Sequence, residues 1–94
     1  MKAYWIARVT VSSPEQYRQY AESAPEAIRK YNGRFLARAG RSEQLEGTGR
    51  PRNVVIEFDN YEDAIACYRS PEYQAAKARR EGAGEADIVI VEGT

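Results

Sequence analysis

The stretch AYWIARVTV, residues 3–11, is rich in aromatic and β-branched types, and its apolar side chains fall on odd and even positions alike. A strand sends alternate side chains to opposite faces of its sheet, so apolar residues on both parities mean that both faces are covered. These residues therefore predict a central strand. The next segment, SSPEQYRQYAESAPEAIRKYNG (12–33), places Tyr17, Tyr20, Ala21, Ala24, Ile28 and Tyr31 at the spacing of an amphipathic helix, with Asn32-Gly33 as a left-handed stop. Pro25 lies inside that pattern, removes one backbone donor, and predicts a kink or a division into two helices.

Further along, GRFLARAGRSEQLEG (33–47) reads as a strand bending near Gly40, and RNVVIEF (52–58) as its hairpin partner across GTGRP. DNYEDAIACYR (59–69) and SPEYQAAKARREGAG (70–84) read as helices, and EADIVIVEG (85–93) as a last strand. Ser13-Pro14-Glu15 and Ser70-Pro71-Glu72 each begin a helix, with Ser as N-cap, Pro in the first turn and Glu where the dipole favours it. Gln16 sits where a capping box with Ser13 requires it. Asp59, Glu62 and Asp63 cap the helix that begins beside them and complement its dipole. The order strand, helix, strand, strand, helices, strand is the α+β, ferredoxin-like βαββαβ arrangement: a four-stranded antiparallel sheet with helices on one face.

Splitting the strands by parity gives one face with Ala7, Val9, Phe35, Ala37, Val54, Ile56 and Ile88, which is the face expected to meet the helices. The other carries Tyr4, Ile6, Arg8, Leu36, Arg38, Val55, Glu57, Val89 and Val91, too apolar to be left to water. In a 94-residue chain read as one domain, residues 1–94, a second copy is the natural cover, and the expectation is a homodimer packed sheet to sheet. Arg8 and Glu57, on adjacent strands, are placed to pair, with Arg38 one strand further over. Such a trio is either a salt bridge at the dimer seam or an anion-binding or catalytic group.

AYWIARVTV, NGRFLARAG, VVIEF and above all YRSPEYQAAKARREGAGEADIVIVEG resemble a small bacterial family labelled domain of unknown function 1330, within the dimeric α/β-barrel superfamily. The resemblance runs from Ala3 to Gly93. It implies a ferredoxin-like fold and a dimer, and no activity. The superfamily includes antibiotic-biosynthesis and haem-degrading monooxygenases, muconolactone isomerases and YciI-like proteins, with ligands in a pocket beside the sheet. This chain contains no histidine, so neither a haem held by a proximal His nor the histidine acid or base suspected in YciI-like relatives carries over.

The missing histidine also removes Ser-His and Cys-His nucleophile pairs, HExxH and ordinary transition-metal sites. Cys67 is the single cysteine and falls within a helix, so it forms no internal disulfide and reads as inert. Gly47-Thr48-Gly49 lies in a hairpin and reads as a turn, not a phosphate loop. Lys77, Arg79 and Arg80 read as a solvated helix face. With 14 basic and 14 acidic residues the net charge is zero, which argues against a nucleic-acid or membrane surface. No apolar run is long enough for a signal peptide or a membrane span, and the expected location is cytoplasmic.

Six of the seven tyrosines fall on predicted helices, most on inward stripes. They are either core residues with hydroxyls at the rim or the wall of a small-molecule pocket. The functional expectation is a small organic ligand held between helices and sheet by Tyr17, Tyr68, Tyr73 and Trp5, without cofactor or metal. Glu57, Arg38 and Arg8 are the candidates for any proton transfer or anion stabilisation. The alternatives are a non-catalytic dimeric module and, by superfamily analogy, a monooxygenase-like enzyme.

Overall fold

The computed structural model describes residues 1–94. Its elements are β1 (Ala3–Val11), α1 (Pro14–Lys30), β2 (Arg34–Arg38), β3 (Arg52–Phe58), α2 (Tyr61–Arg69), α3 (Pro71–Arg79) and β4 (Gly84–Glu92). The strands form one antiparallel sheet in the order β2-β3-β1-β4, the ferredoxin-like arrangement, with β1 central. Along β1, Ala3, Trp5, Ala7 and Val9 are buried under the helices while Arg8 and Thr10 are exposed on the other face. Val54, Ile56 and Phe58 of β3 join the same inner layer, and Trp5, Phe58, Ile28 and Tyr73 are among its largest buried side chains. No helix is long and apolar enough to cross a membrane.

Pro25 neither ends nor divides its helix: α1 continues through it for 17 residues. Position 25 has lost its bond to the carbonyl of Ala21, and the Arg38 guanidinium donates to that oxygen instead, at 3.0 Å. Burial of the proline ring and this replacement donor keep the helix whole. It ends as the Asn-Gly pair predicts. Asn32 takes φ 66°, its N–H donates to Arg29 O at 2.9 Å, and the Gly33 N–H donates to Ile28 O at 2.9 Å. Gly33 is required by space: a Cβ there would lie 2.5 Å from Ile28 and 2.9 Å from the Phe58 ring.

The two SPE starts behave differently. Ser70 accepts from Tyr73 N–H at 3.1 Å and donates to Cys67 O at 2.7 Å, so one buried hydroxyl joins the end of α2 to the start of α3. Ser13 is the N-cap of α1 by position but makes no side-chain cap bond, and there is no capping box. Gln16 reaches away to donate to the carbonyls of Glu81 (2.5 Å) and Arg79 (3.4 Å), tying α1 to the end of α3. At α2 the cap is Asn60, which accepts from Asp63 N–H at 2.8 Å, while Asp59 pairs with Lys2 and Arg34.

The expected strand over 33–47 is much shorter. A bulge lies between Phe35 and Ala37, so that Phe35 pairs with Ile56 but Ala37 with Val55 and Arg38 with Val54. The extra residue, Leu36, reverses the parity of the rest of the strand. Arg38 therefore joins the inner, helix-facing side with Val54, and Ala37 the outer side, the reverse of their expected placement. Ala39, at φ 58°, then turns the chain out of the sheet into an irregular loop. Arg50 holds that loop against the outer face, donating to Asp87 (2.8 Å), Thr10 (3.0 Å) and Glu85 (3.2 Å).

Candidate functional site

A recess opens between α1 and the inner face of the sheet. Counted out to its mouth and the solvent there it encloses about 470 Å³ free of atoms, and its interior is narrow. The floor comes from alternate residues of the central strands, including Trp5, Ala7 and Ile56, and the wall from the inward stripe of α1, including Tyr17, Tyr20 and Ala24. Period two on the strands and period 3.6 on the helix bring these apolar side chains together. Small residues on both sides leave the space.

The charged residues on this lining are Arg38, Arg52 and Arg80, and no carboxylate accompanies them. None of the three belongs to an ion pair: the acidic partners of this chain go to Lys2, Lys30, Arg34 and Arg50. Each instead lies over an aromatic face, Arg38 at 4.6 Å from Phe35, Arg52 at 5.3 Å from Tyr17 and Arg80 at 4.9 Å from Tyr20. Arg52 Nε is buried with no hydrogen-bond partner. A neutral donor left in this way costs about 1–3 kcal/mol and a charged one more, which a cation–π contact offsets in part.

Behind the recess the hydroxyls of Tyr20 and Tyr73 lie 2.7 Å apart. Tyr73 is fully buried and meets the Trp5 ring edge-on at 4.8 Å, whereas Tyr20 lines the recess. Burial, and then the Tyr73 hydroxyl beside it, raise the Tyr20 phenol far above its ordinary range. Burial also raises Tyr73, although hydrogen bonding with Tyr20 and with Arg80, and then the Arg80 charge, work against the rise. Both phenols are protonated at neutral pH. They serve as hydrogen-bond donors and not as phenolate bases.

The structure divides the residues singled out in the sequence. Trp5, Tyr17 and Arg38 line the recess; Tyr73 stands behind it, bonded to Tyr20; Tyr68 faces a separate groove beside β4 with Tyr61 and Ile65. Arg8 and Glu57 lie on the opposite face of the sheet and do not pair with each other. Across the ladder Arg8 faces Asn53 and Asp87, and Asp87 is taken by Arg50. Glu57 faces Tyr4 on β1 and Arg34 on β2, accepting from Arg34 Nε at 3.2 Å and from Tyr4 OH at 3.3 Å. That carboxylate lies in a hydrogen-bonded cluster on the outer face, on the other side of the sheet from the recess.

Arg52, Arg80 and Tyr20 complete the recess and were not among the sequence candidates. All three carried a signal: Tyr20 lies on the inward stripe of α1. Arg52 is two residues before Val54 and shares its parity, and Arg80 stands at i+7 from Tyr73 and i+4 from Ala76 on the buried stripe of α3. Arg80 is accordingly half-buried beside the two phenols, not part of a solvated face. No group of three or more His, Cys, Asp or Glu side chains is placed to hold a metal ion.

A model of the family described as Domain of unknown function (DUF1330) matches residues 2–94. The chain belongs to that family. No curated protein matches it. Among solved structures, a protein of unknown function from Rhodopseudomonas palustris is similar at TM-score 0.77 and 13% identity, covering 99% of this chain and 82% of that one. A dimeric ferredoxin-like protein of unknown function from Jannaschia sp. is similar at TM-score 0.69 and 12% identity, covering 99% and 100%. SnoaB, a cofactor-independent oxygenase from Streptomyces nogalater, is similar at TM-score 0.68 and 10% identity, covering 99% and 93%. At these identities the likeness between this DUF1330 chain and its neighbours is one of fold.

Proposed function

We propose that this DUF1330 protein is a homodimer that binds a small organic molecule in the recess between α1 and the sheet. The observation that carries the reading is the lining itself: an apolar and aromatic wall whose charges are all of one sign and unpaired. Ligand pockets have this composition, mostly apolar with a few placed polar groups. The interior is narrow, so a ligand of aromatic size has to move some of the lining side chains to enter. The dimer rests on the outer face, where Leu36, Val89 and Val91 are exposed beside Ile6 and Val55, and on the dimeric character of the Jannaschia neighbour.

Trp5 is the only tryptophan and forms part of the recess floor, so its emission reports occupancy directly. Titrating the protein with small aromatic compounds is expected to change Trp5 emission and raise the melting temperature together. Ala21→Leu, which narrows the recess, is expected to abolish both responses. Binding that persists in Ala21→Leu, or the absence of any response from the wild type, sinks this reading and leaves a non-catalytic dimeric module.

A second reading is cofactor-independent chemistry of the kind named for SnoaB. What favours it is the unpaired positive charge at an apolar site, which stabilises a ligand that has ionised to an enolate. The lining supplies no carboxylate base and burial keeps its Tyr20 phenol protonated, so the acidity has to be the ligand's own. Dioxygen uptake with an enolisable aromatic ketone, monitored with an oxygen electrode, tests it; no uptake above the protein-free rate rejects it.

A further inference from the structure

We infer that the ligand of the recess is a small carboxylate with a flat apolar body, its carboxylate held by Arg52 together with Arg38 and Arg80. This inference rests on the recess being a binding site and adds the chemical class of what it binds. A lining with three guanidinium groups and no acidic side chain is incomplete as a charge arrangement, and an anion is what completes it. A carboxylate fits better than a point anion because a guanidinium presents parallel N–H donors that match two oxygens at once. The buried, unpartnered Nε of Arg52 is one such donor, already desolvated and waiting for an acceptor. Arg38 commits Nη2 to the Ala21 carbonyl and keeps its other donors.

The tyrosine pair points to the same class of ligand. Of the two hydroxyl protons, one makes the 2.7 Å bond and the other needs an acceptor. Tyr73 is fully buried and has no second oxygen partner, so the arrangement that satisfies both has Tyr73 donating to Tyr20. The Tyr20 proton is then free to point into the recess, where the protein offers it no acidic acceptor. The geometry thus supplies a neutral donor beside the arginines, suited to a carboxylate oxygen. The body of the ligand lies on the aromatic and aliphatic floor around Trp5.

The test compares benzoate with benzamide, its neutral analogue of nearly the same shape, by titration of Trp5 emission. Benzoate is expected to bind at least about tenfold more tightly, a difference of about 1.4 kcal/mol. Arg52→Gln is expected to remove most of that preference, read as the ratio of the two affinities, and Tyr20→Phe to weaken benzoate severalfold. The wild-type comparison needs no variant and stands even if Arg52→Gln does not fold. If benzamide binds as well as benzoate, the recess is a pocket and the carboxylate assignment is wrong. If benzoate raises the melting temperature without moving Trp5 emission, it binds elsewhere and the assignment is equally wrong. If neither compound changes Trp5 emission, the binding-site reading falls with it.

Discussion

The Arg38 guanidinium donates from Nη2 to the carbonyl oxygen of Ala21 at 3.0 Å, and Ala21 is the residue whose carbonyl Pro25 leaves without its helical donor. A residue on a bulged edge strand thereby repairs a gap in the helix opposite, at the rim of the recess. This predicts energetic coupling between positions 38 and 25. Arg38→Ala is expected to cost about 1 kcal/mol in the wild type, the usual net value of one hydrogen bond. In a Pro25→Ala background, where residue 25 again has an N–H to donate, the same change should cost less than half as much. Urea denaturation of the four proteins of the cycle measures this; equal losses in both backgrounds would show that the contact contributes nothing to the helix.

The outer sheet face makes a separate prediction about assembly. Val89 and Val91 lie on β4 with 55% and 47% of their surface exposed in the single chain, next to the half-buried Ile6 on β1. Val89→Lys places a charge on that face, on the edge strand β4, without touching the core under the helices. Sedimentation velocity at micromolar concentration is expected to find a dimer for the wild type and a monomer of unchanged helical content for Val89→Lys. A monomeric wild type would reject the sheet-to-sheet dimer, since large exposed apolar faces are what such an interface covers.

Cys67 tests the packing of α2. Its side chain is fully buried, and burial, with a smaller contribution from Glu72, pushes the thiol up to about 12. Since the thiolate is the reactive form, the native protein at pH 8 should resist an aromatic disulfide reagent for hours and react at once in denaturing urea. Fast stoichiometric labelling of the native protein would mean that α2 opens locally at low cost.

Much of the fold was legible in the sequence because most of its signals are periodic. β1 and β3 fall on the bounds read from their runs of β-branched and aromatic residues, Asn32-Gly33 closes α1 as its residue types require, and the parity of Val54, Ile56 and Phe58 identifies the inner face. The candidate site was legible only in part, for local reasons. A one-residue bulge in a five-residue strand leaves no trace in hydropathy, yet it moved Arg38 from the face of Glu57 to the face of Tyr17. The partner of Glu57 was missed because Arg34, at the start of the edge strand, lies closer across the ladder than Arg8. Arg80 was missed because a charged residue at a helix end usually points to water. Its place on the Tyr73–Ala76 stripe was the contrary signal.

Acid stability should track the paired surface carboxylates. The Lys2 ammonium, and after it Arg34, holds the exposed Asp59 carboxyl below its ordinary range, and Lys30 does the same for Glu72 across α1 and α3. A carboxyl whose folded value lies below its unfolded value binds more protons when unfolded. Its contribution is therefore complete above the ordinary carboxylate range, about pH 4–4.5, and is lost as pH falls through the lowered folded value. Lys30→Gln is expected to move the Glu72 titration, measured by carboxyl NMR shifts, upward toward the ordinary glutamate range, part of the lowering remaining with the backbone N–H of Glu72 and with Ser70, and to flatten the acid limb of the stability curve. An unmoved Glu72 titration would show that the pair does not form in solution.

The tyrosine pair predicts an asymmetry between two conservative changes. Tyr73 is fully buried, while Tyr20 reaches the recess, so their hydroxyls differ in what they can bond once the partner is gone. Tyr73→Phe leaves the Tyr20 hydroxyl able to find water in the recess, and should cost about 1 kcal/mol. Tyr20→Phe strands the Tyr73 hydroxyl in the core, where an unsatisfied donor costs up to about 3 kcal/mol. Removing both hydroxyls leaves nothing stranded, so the double variant should be more stable than Tyr20→Phe alone. Thermal and urea unfolding of the three variants give the order. If Tyr73→Phe proves the more damaging, Tyr73 has a second partner and the proton of Tyr20 does not face the recess.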